Sequence, residues 1–164
     1  MREIRIGLLG FGTVGTGMAK ILLGNADLIQ KRLGARLVLA RVADIDTTTD
    51  RGITLPEGVL TNNAQAVVTD PAIDIIVEMI GGVGIAKELI FEAISFGKHV
   101  VTANKALLAT YGNEIFRAAD KKNVDLAFEA STGGCMPVIK TIRESLAGNQ
   151  VHAMVGILNG TCNY

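Results

Sequence analysis

The chain has 164 residues, 49% hydrophobic and 20% charged, with a mean hydropathy of +0.37. That length supports one ordinary domain with a sizeable core, and that composition excludes intrinsic disorder. Sixteen basic residues balance sixteen acidic ones, which removes the basic footprint of a general nucleic-acid binder. No apolar run approaches the roughly 18 residues of a membrane span.

The N-terminal Met1-Arg2-Glu3-Ile4 alternates like a strand and lacks the apolar core and cleavage site of a signal peptide. Cys135 and Cys162 are too few and too far apart for a disulfide framework or a CxxC metal clip. The expectation is a reduced, cytoplasmic protein. Glycine is the outlier: the 19 glycines make up about 12% of the chain against a typical share of roughly 7%. With three prolines and no low-complexity tract, they imply tight turns and close backbone approach at many points.

In chain order, Glu3 to Leu9 is an apolar strand, followed by glycines at 10, 12 and 15. A helical pattern runs from Val14 through Met18, Ile21 and Leu22, and the segment from Asn25 to Arg36 lengthens the crossover. Leu37 to Ala43 is a second strand, ended by Asp44, and a threonine-rich stretch with Pro56 marks a loop. A short helix starts near Asn62 or Asn63 and stops before Asp70-Pro71, because proline disfavours helix in the residue before it. Ile73 to Met79 is a third strand, stopped by Gly81-Gly82.

Ile85, Leu89, Ile90, Ala93 and Ile94 then repeat at helical spacing, with Gly97 where a C-terminal cap belongs. His99 to Thr102 is a fourth strand, and a helix follows from about Asn104 to Lys121, with a break expected near Gly112. Leu126 to Glu129 is a fifth strand. Pro137 suits the first turn of a helix reaching Leu146, with Gly148 past its end, and Val151 to Leu158 is a last strand. Near-continuous apolar strands alternating with amphipathic helices predict a doubly wound α/β domain with a mostly parallel sheet.

Gly10-Phe11-Gly12-Thr13-Val14-Gly15 is GxGxxG placed between strand and helix, the context of the Rossmann-type dinucleotide fingerprint. The first glycine permits the turn, the second lets backbone approach a pyrophosphate, and the third allows close packing under the free N–H groups of a helix. The alternative is a glycine-rich turn of any α/β protein. Asp44, at the end of the second strand, is the candidate for the adenosine ribose hydroxyls and favours NAD over NADP, since a carboxylate repels a 2′-phosphate. It lies further past Gly15 than the usual offset of about 20 residues. Arg41 and Arg51 stand nearby as phosphate partners, and an exposed turn aspartate is the alternative.

Gly81-Gly82 leaves room for the nicotinamide ribose at the carboxyl edge of the sheet, or simply forms a turn. Lys105 follows the fourth strand in the first turn of a helix, where the dipole disfavours a cation. That makes it a functional lysine candidate against a merely solvated one. The glycines between Glu129 and Pro137 expose carbonyls able to ligate a hard cation or form a turn. Cys135 reads as small-residue packing, since no partner base is evident. His99 and His152 read as structural, with no zinc or iron spacing.

Four segments taken together closely resemble the nucleotide-binding part of homoserine dehydrogenases. They are the glycine motif, Val101-Thr102-Ala103-Asn104-Lys105-Ala106-Leu107-Leu108-Ala109, Glu129 to Pro137, and Gly156 to Tyr164 with its Asn159-Gly160-Thr161-Cys162-Asn163-Tyr164 ending. Such enzymes interconvert L-homoserine and L-aspartate 4-semialdehyde with NAD(H) or NADP(H), in threonine, methionine and isoleucine synthesis. The resemblance implies that Phe11, Thr13 and Val14 line the cofactor with the glycines. It implies that Lys105 contacts the nicotinamide end and the substrate site. It also implies that Glu129, Thr132, Gly134 and Met136 hold a sodium ion, chiefly through main-chain carbonyls.

The chain departs from the family at Thr132, usually valine, and at Cys135, usually glycine. The division it implies is a cofactor domain over residues 1–150 and, over 151–164, the start of a substrate and dimerisation domain whose remainder lies outside the chain. A small-molecule substrate, a homodimeric full-length enzyme and an isolated chain that binds cofactor without turnover are the matching expectations. Two competing readings are a thiol-dependent semialdehyde dehydrogenase using Cys162 and a non-catalytic NAD-sensing module.

Overall fold

The computed structural model describes residues 1–156. Six parallel strands form one sheet in the order β3-β2-β1-β4-β5-β6. The strands are β1 (Glu3–Leu9), β2 (Arg36–Ala43), β3 (Leu60–Thr61), β4 (Ile75–Glu78), β5 (His99–Thr102) and β6 (Leu126–Ala127). Between them run α1 (Thr13–Gly24), α2 (Ala26–Leu33), α3 (Ala64–Thr69), α4 (Gly84–Ser95) and α5 (Lys105–Lys122). After β6 come α6 (Glu129–Gly133), α7 (Val138–Lys140) and a π-helical turn, Thr141–Ser145. No described helix is long and apolar enough to cross a membrane.

Strand periodicity assigns the two faces. On β1, Leu8 faces one apolar cluster with Phe11, Ala19 and Leu39, beneath α1. Its neighbour Leu9 faces the other, with Val68, Leu89, Ile90, Leu107 and Ile115 from α3, α4 and α5. Ile76 and Val77 divide between the clusters in the same way on β4. Both faces of the central strands are therefore buried, which is why their sequences are apolar without alternation.

The strands from Glu3 and His99 and the α3 and α4 helices lie where the sequence puts them. The crossover from Asn25 is itself a helix, α2, none of whose residues is buried. The helix after β5 runs unbroken through Gly112. An interior glycine costs about 1 kcal/mol, and α5 is held by an Asn104 cap, an αL Asn123 end and four buried positions. Glu129 opens α6 rather than ending a strand, because β6 pairs with β5 over two residues only.

The helix from Pro137 changes to π geometry, with the Leu146 N–H reaching back five residues to the Thr141 carbonyl at 2.9 Å. The two-residue edge strand β3 is too short for a period to reveal. Residues 151–156 form no strand, and the rest of the expected last strand, with Cys162 and the Asn159–Tyr164 motif, lies outside the described residues.

Candidate functional site

The carboxyl ends of β1, β2, β4 and β5 converge on one edge, and the strand order reverses between β1 and β4. That point is where open α/β sheets bind ligands. The Gly10 N–H donates to the Ala43 carbonyl at 2.8 Å, so the turn after β1 stays zipped to the end of β2. Gly10 has φ +92, and a Cβ there would lie 2.7 Å from Met79 backbone. A Cβ on Gly15 would lie 2.0 Å from the Gly10 carbonyl oxygen, so the turn and α1 can touch only through glycine. A Cβ on Gly12 meets no protein atom within 4 Å. Internal packing thus explains Gly10 and Gly15 but leaves Gly12 open toward the cleft.

Gly12 is also the N-cap of α1 and supplies no side-chain hydrogen bond, and no acidic residue occupies the first turn. The first intrahelical bond runs from Thr16 N–H to Gly12 O at 2.9 Å. The N–H groups of Thr13, Val14 and Gly15 therefore precede the ladder, as at every helix start, and face the turn. Helices α3 and α5 instead carry asparagine caps, Asn63 accepting from Ala66 N–H and Asn104 from Leu107 N–H. An uncapped helix start beside an open glycine is able to receive a phosphate.

Phe11 supports that turn from beneath. Its ring is 3% exposed within the α1-side core, its N–H donates to Asp44 Oδ2 at 2.5 Å, and its carbonyl accepts from the Thr16 hydroxyl at 2.9 Å. Thr13 and Val14 are exposed at the mouth. A cavity of about 370 Å³ opens beside the glycine turn, bounded by Gly10, Gly12, Asp44, Asn62, Met79 and the apolar side chains of Ile45, Ile80 and Ile85. Ile45 is 97% exposed, an apolar side chain standing free at the rim. The sequence pattern marks Ile85 only as part of the helical stripe of α4 and gives Ile45 and Ile80 no role, since each reads as an ordinary apolar residue next to a turn.

Asp44 is not a free turn residue. Its second oxygen accepts the Asp46 N–H at 2.9 Å, and Arg51 stands 3.7 Å from Asp44 and 3.3 Å from Asp46. The Arg51 guanidinium lies 5.6 Å over the Phe11 ring. Hydrogen bonds from Thr49 and then Thr48 hold the Asp46 carboxyl well below the usual carboxylate range. Arg41 is directed elsewhere, donating to the Gly58 carbonyl.

On the other side of the cleft, Gly81 and Gly82 adopt φ +77 and +69, so the pair is required by a left-handed turn. Asn104 reaches across to donate to the Gly82 carbonyl at 2.6 Å. Lys105 is the exposed first residue of α5. Beneath this wall lies Glu78, fully buried, a residue the sequence reading passed over although it is the one charged side chain near the end of an apolar strand.

The turn after β6 is less open than its glycines imply. The Glu129 carboxylate accepts the N–H groups of Ile139 and Lys140 at 2.9 and 2.8 Å, capping α7. The Met136 carbonyl accepts from Val138 N–H at 2.9 Å. Thr132 lies within α6, and Gly134 ends it at φ +64. Among the described residues no group of three or more His, Cys, Asp or Glu side chains is placed to hold a metal ion. An ion here would draw on main-chain oxygens. Cys135 is a free, exposed thiol rather than a packed one. His99 accepts from Asp125 N–H at 3.0 Å, linking β5 to the entry of β6.

The strand order and the uncapped, glycine-approached helix define a Rossmann-type dinucleotide-binding domain. A family model described as the homoserine dehydrogenase NAD-binding domain matches residues 10–129, and a second, described as homoserine dehydrogenase, matches residues 137–164. The chain belongs to the homoserine dehydrogenase family, and the fold and family support use of NAD(P).

Homoserine dehydrogenase of Neisseria gonorrhoeae is 46% identical over the whole chain, and that of Bacillus subtilis 40%; each match spans 38% of the relative's length. The crystal structure of the Thiobacillus denitrificans enzyme superimposes on 91% of this chain, at a TM-score of 0.83 and 49% identity, and on 34% of its own. The chain thus spans somewhat over a third of the length of the relatives it matches.

Proposed function

We propose that this chain is the cofactor-binding part of a homoserine dehydrogenase that interconverts L-homoserine and L-aspartate 4-semialdehyde. The observation that carries the reading is the pairing of an open, uncapped α1 start at Gly12 with Lys105 at the carboxyl end of β5, on the same edge of the parallel sheet. Gly10 to Gly15 and the N–H groups of Thr13 and Val14 take the pyrophosphate, with Phe11 supporting the turn from inside. Gly81 and Gly82 border the nicotinamide ribose, and Lys105 meets the nicotinamide end and the substrate. When bound, the nicotinamide exchanges a hydride with the carbon that alternates between carbinol and aldehyde, while a lysine handles the hydroxyl proton.

Asp44 takes the adenosine ribose hydroxyls and favours NAD. Around it, two carboxylates face one guanidinium, since Arg51 is already matched by Asp44 and Asp46. The resulting local negative charge opposes a 2′-phosphate. A sodium ion at Glu129, Thr132, Gly134 and Met136 would use backbone carbonyls, because the Glu129 side chain is engaged as a helix cap. Residues 1–150 act as the cofactor domain, and 151–164 lead into the substrate and dimerisation domain of a cytoplasmic homodimer.

Titrating the isolated chain with NADH and NADPH tests the reading. Saturable binding, tighter for NADH, without homoserine-dependent reduction of NAD or NADP is expected; robust turnover by these 164 residues alone would sink the proposed division of labour.

A further inference from the structure

Glu78 is the most deeply buried charged side chain near the cleft, 0% exposed, and the roles assigned above make no use of it. A carboxylate is retained in such a place only with its oxygens satisfied. Glu78 Oε1 accepts the N–H groups of Ile80 and Gly81 at 2.8 and 3.1 Å. Its Oε2 accepts the Thr102 hydroxyl at 2.6 Å, a spacing typical of a hydroxyl donating to a carboxylate. The Thr102 oxygen in turn accepts the Asn104 N–H at 3.0 Å, and Asn104 bonds Gly82 O on one side and Leu107 N–H on the other. The chain of bonds leaves the end of β4, passes through the end of β5 and closes on the turn it started from. Both walls of the nicotinamide side of the cleft, the 79–82 turn and the residue before Lys105, are tied to one carboxylate.

We infer that Glu78 is a positioning residue for hydride transfer, acting through Thr102 and Asn104 to set where Lys105 and the 79–82 turn stand. The inference rests on the proposed homoserine dehydrogenase activity. Its carboxylate is required as an acceptor on both oxygens. In Glu78→Gln one face becomes a donor, so either the turn N–H groups or the Thr102 hydroxyl must lose an acceptor. The phosphate seat proposed on α1 shares none of these hydrogen bonds, so the loss in rate should exceed the small loss of affinity from the turn that borders the nicotinamide ribose.

The test uses the full-length enzyme that carries this chain. Binding sites are counted by NADH titration, and kcat is expressed per titrated site. Glu78→Gln should lower kcat per site at least tenfold while the NADH dissociation constant moves less than threefold. Thr102→Val, which leaves the Glu78 carboxylate and its turn N–H bonds in place, should show the same separation, and Thr102→Ser should restore kcat to within about threefold of wild type. These two keep the test available if Glu78→Gln does not fold.

A fall in the number of sites with kcat per site unchanged would reduce Glu78 to a purely structural role and overturn the inference. Equal rates for Thr102→Val and Thr102→Ser would overturn it as well. Failure of the unmodified enzyme to oxidise homoserine is a different outcome, and it overturns the functional reading on which the inference rests.

Discussion

The Asp44 carboxylate accepts the backbone N–H of Phe11 at 2.5 Å, fastening the end of β2 to the glycine turn that follows β1. One side chain therefore shapes the phosphate turn and stands where the adenosine ribose is proposed to lie. Asp44→Ala should weaken NADH binding at least tenfold and NADPH binding less, because losing the carboxylate removes a ribose acceptor in one case and a repulsion in the other. The Phe11 and Asp46 N–H groups lose their acceptor as well, so stability should fall by about 1–2 kcal/mol. Calorimetric titration with both cofactors, beside denaturant melts, checks the two effects separately.

Three glycines in and just after the GxGxxG motif should respond differently to alanine. Gly15→Ala places a methyl 2.0 Å from the Gly10 carbonyl and should unseat the turn, costing roughly 1–3 kcal/mol or more as an overpacking substitution. Gly12→Ala meets no protein atom, so stability should hold while cofactor affinity drops at least tenfold. Gly17→Ala, inside α1 with open space around it, should stabilise by roughly 0.5–1 kcal/mol through helix propensity. Thermal melts paired with cofactor titration distinguish the three; an unchanged affinity in Gly12→Ala would argue against the phosphate seat.

Lys105 is exposed, and among the described residues no hydrogen bond uses its side chain. Lys105→Ala in the full-length enzyme should leave the melting temperature within about 1 °C, as befits a surface substitution of small stability effect. Turnover should fall at least a hundredfold, the scale on which loss of an acid–base group is felt. Near-normal kinetics would remove the lysine from the proposed chemistry.

At the opposite edge of the sheet, buried Lys98 donates to the carbonyls of Asp70 and Ile73 at 2.5 and 2.7 Å. Burial pushes its pKa below the ordinary 10.5, against the opposing pull of Asp70 and Asp74. Between the lowered value and 10.5 the unfolded chain holds a proton that the folded chain has released, so stability rises with pH across that window. Wild type should therefore gain on Lys98→Met as pH climbs toward 10.5. At neutral pH the substitution should cost about 1–3 kcal/mol by stranding two carbonyls, with cofactor binding unchanged. Urea melts over a pH series read the difference directly.

By itself the sequence determined what short-range chemistry writes. It marked the apolar strands from Glu3, Leu37 and His99, the GxGxxG turn, a helix start near Asn62 or Asn63 and the placement of Lys105 after a strand. These depend on side-chain period, glycine geometry and capping, all local within a few residues. It left Asp44 between two readings and overlooked Glu78, because neither residue's role is visible from its neighbours in the chain.

Tertiary structure decided those. Only parallel pairing of β1 with β2 brings the Asp44 carboxylate to the Phe11 N–H, and only the β4–β5 register sets Glu78 opposite Thr102. Desolvation then makes each such bond obligatory: a carboxylate in water has acceptors to spare, while one enclosed by two strands and a turn must find its donors there.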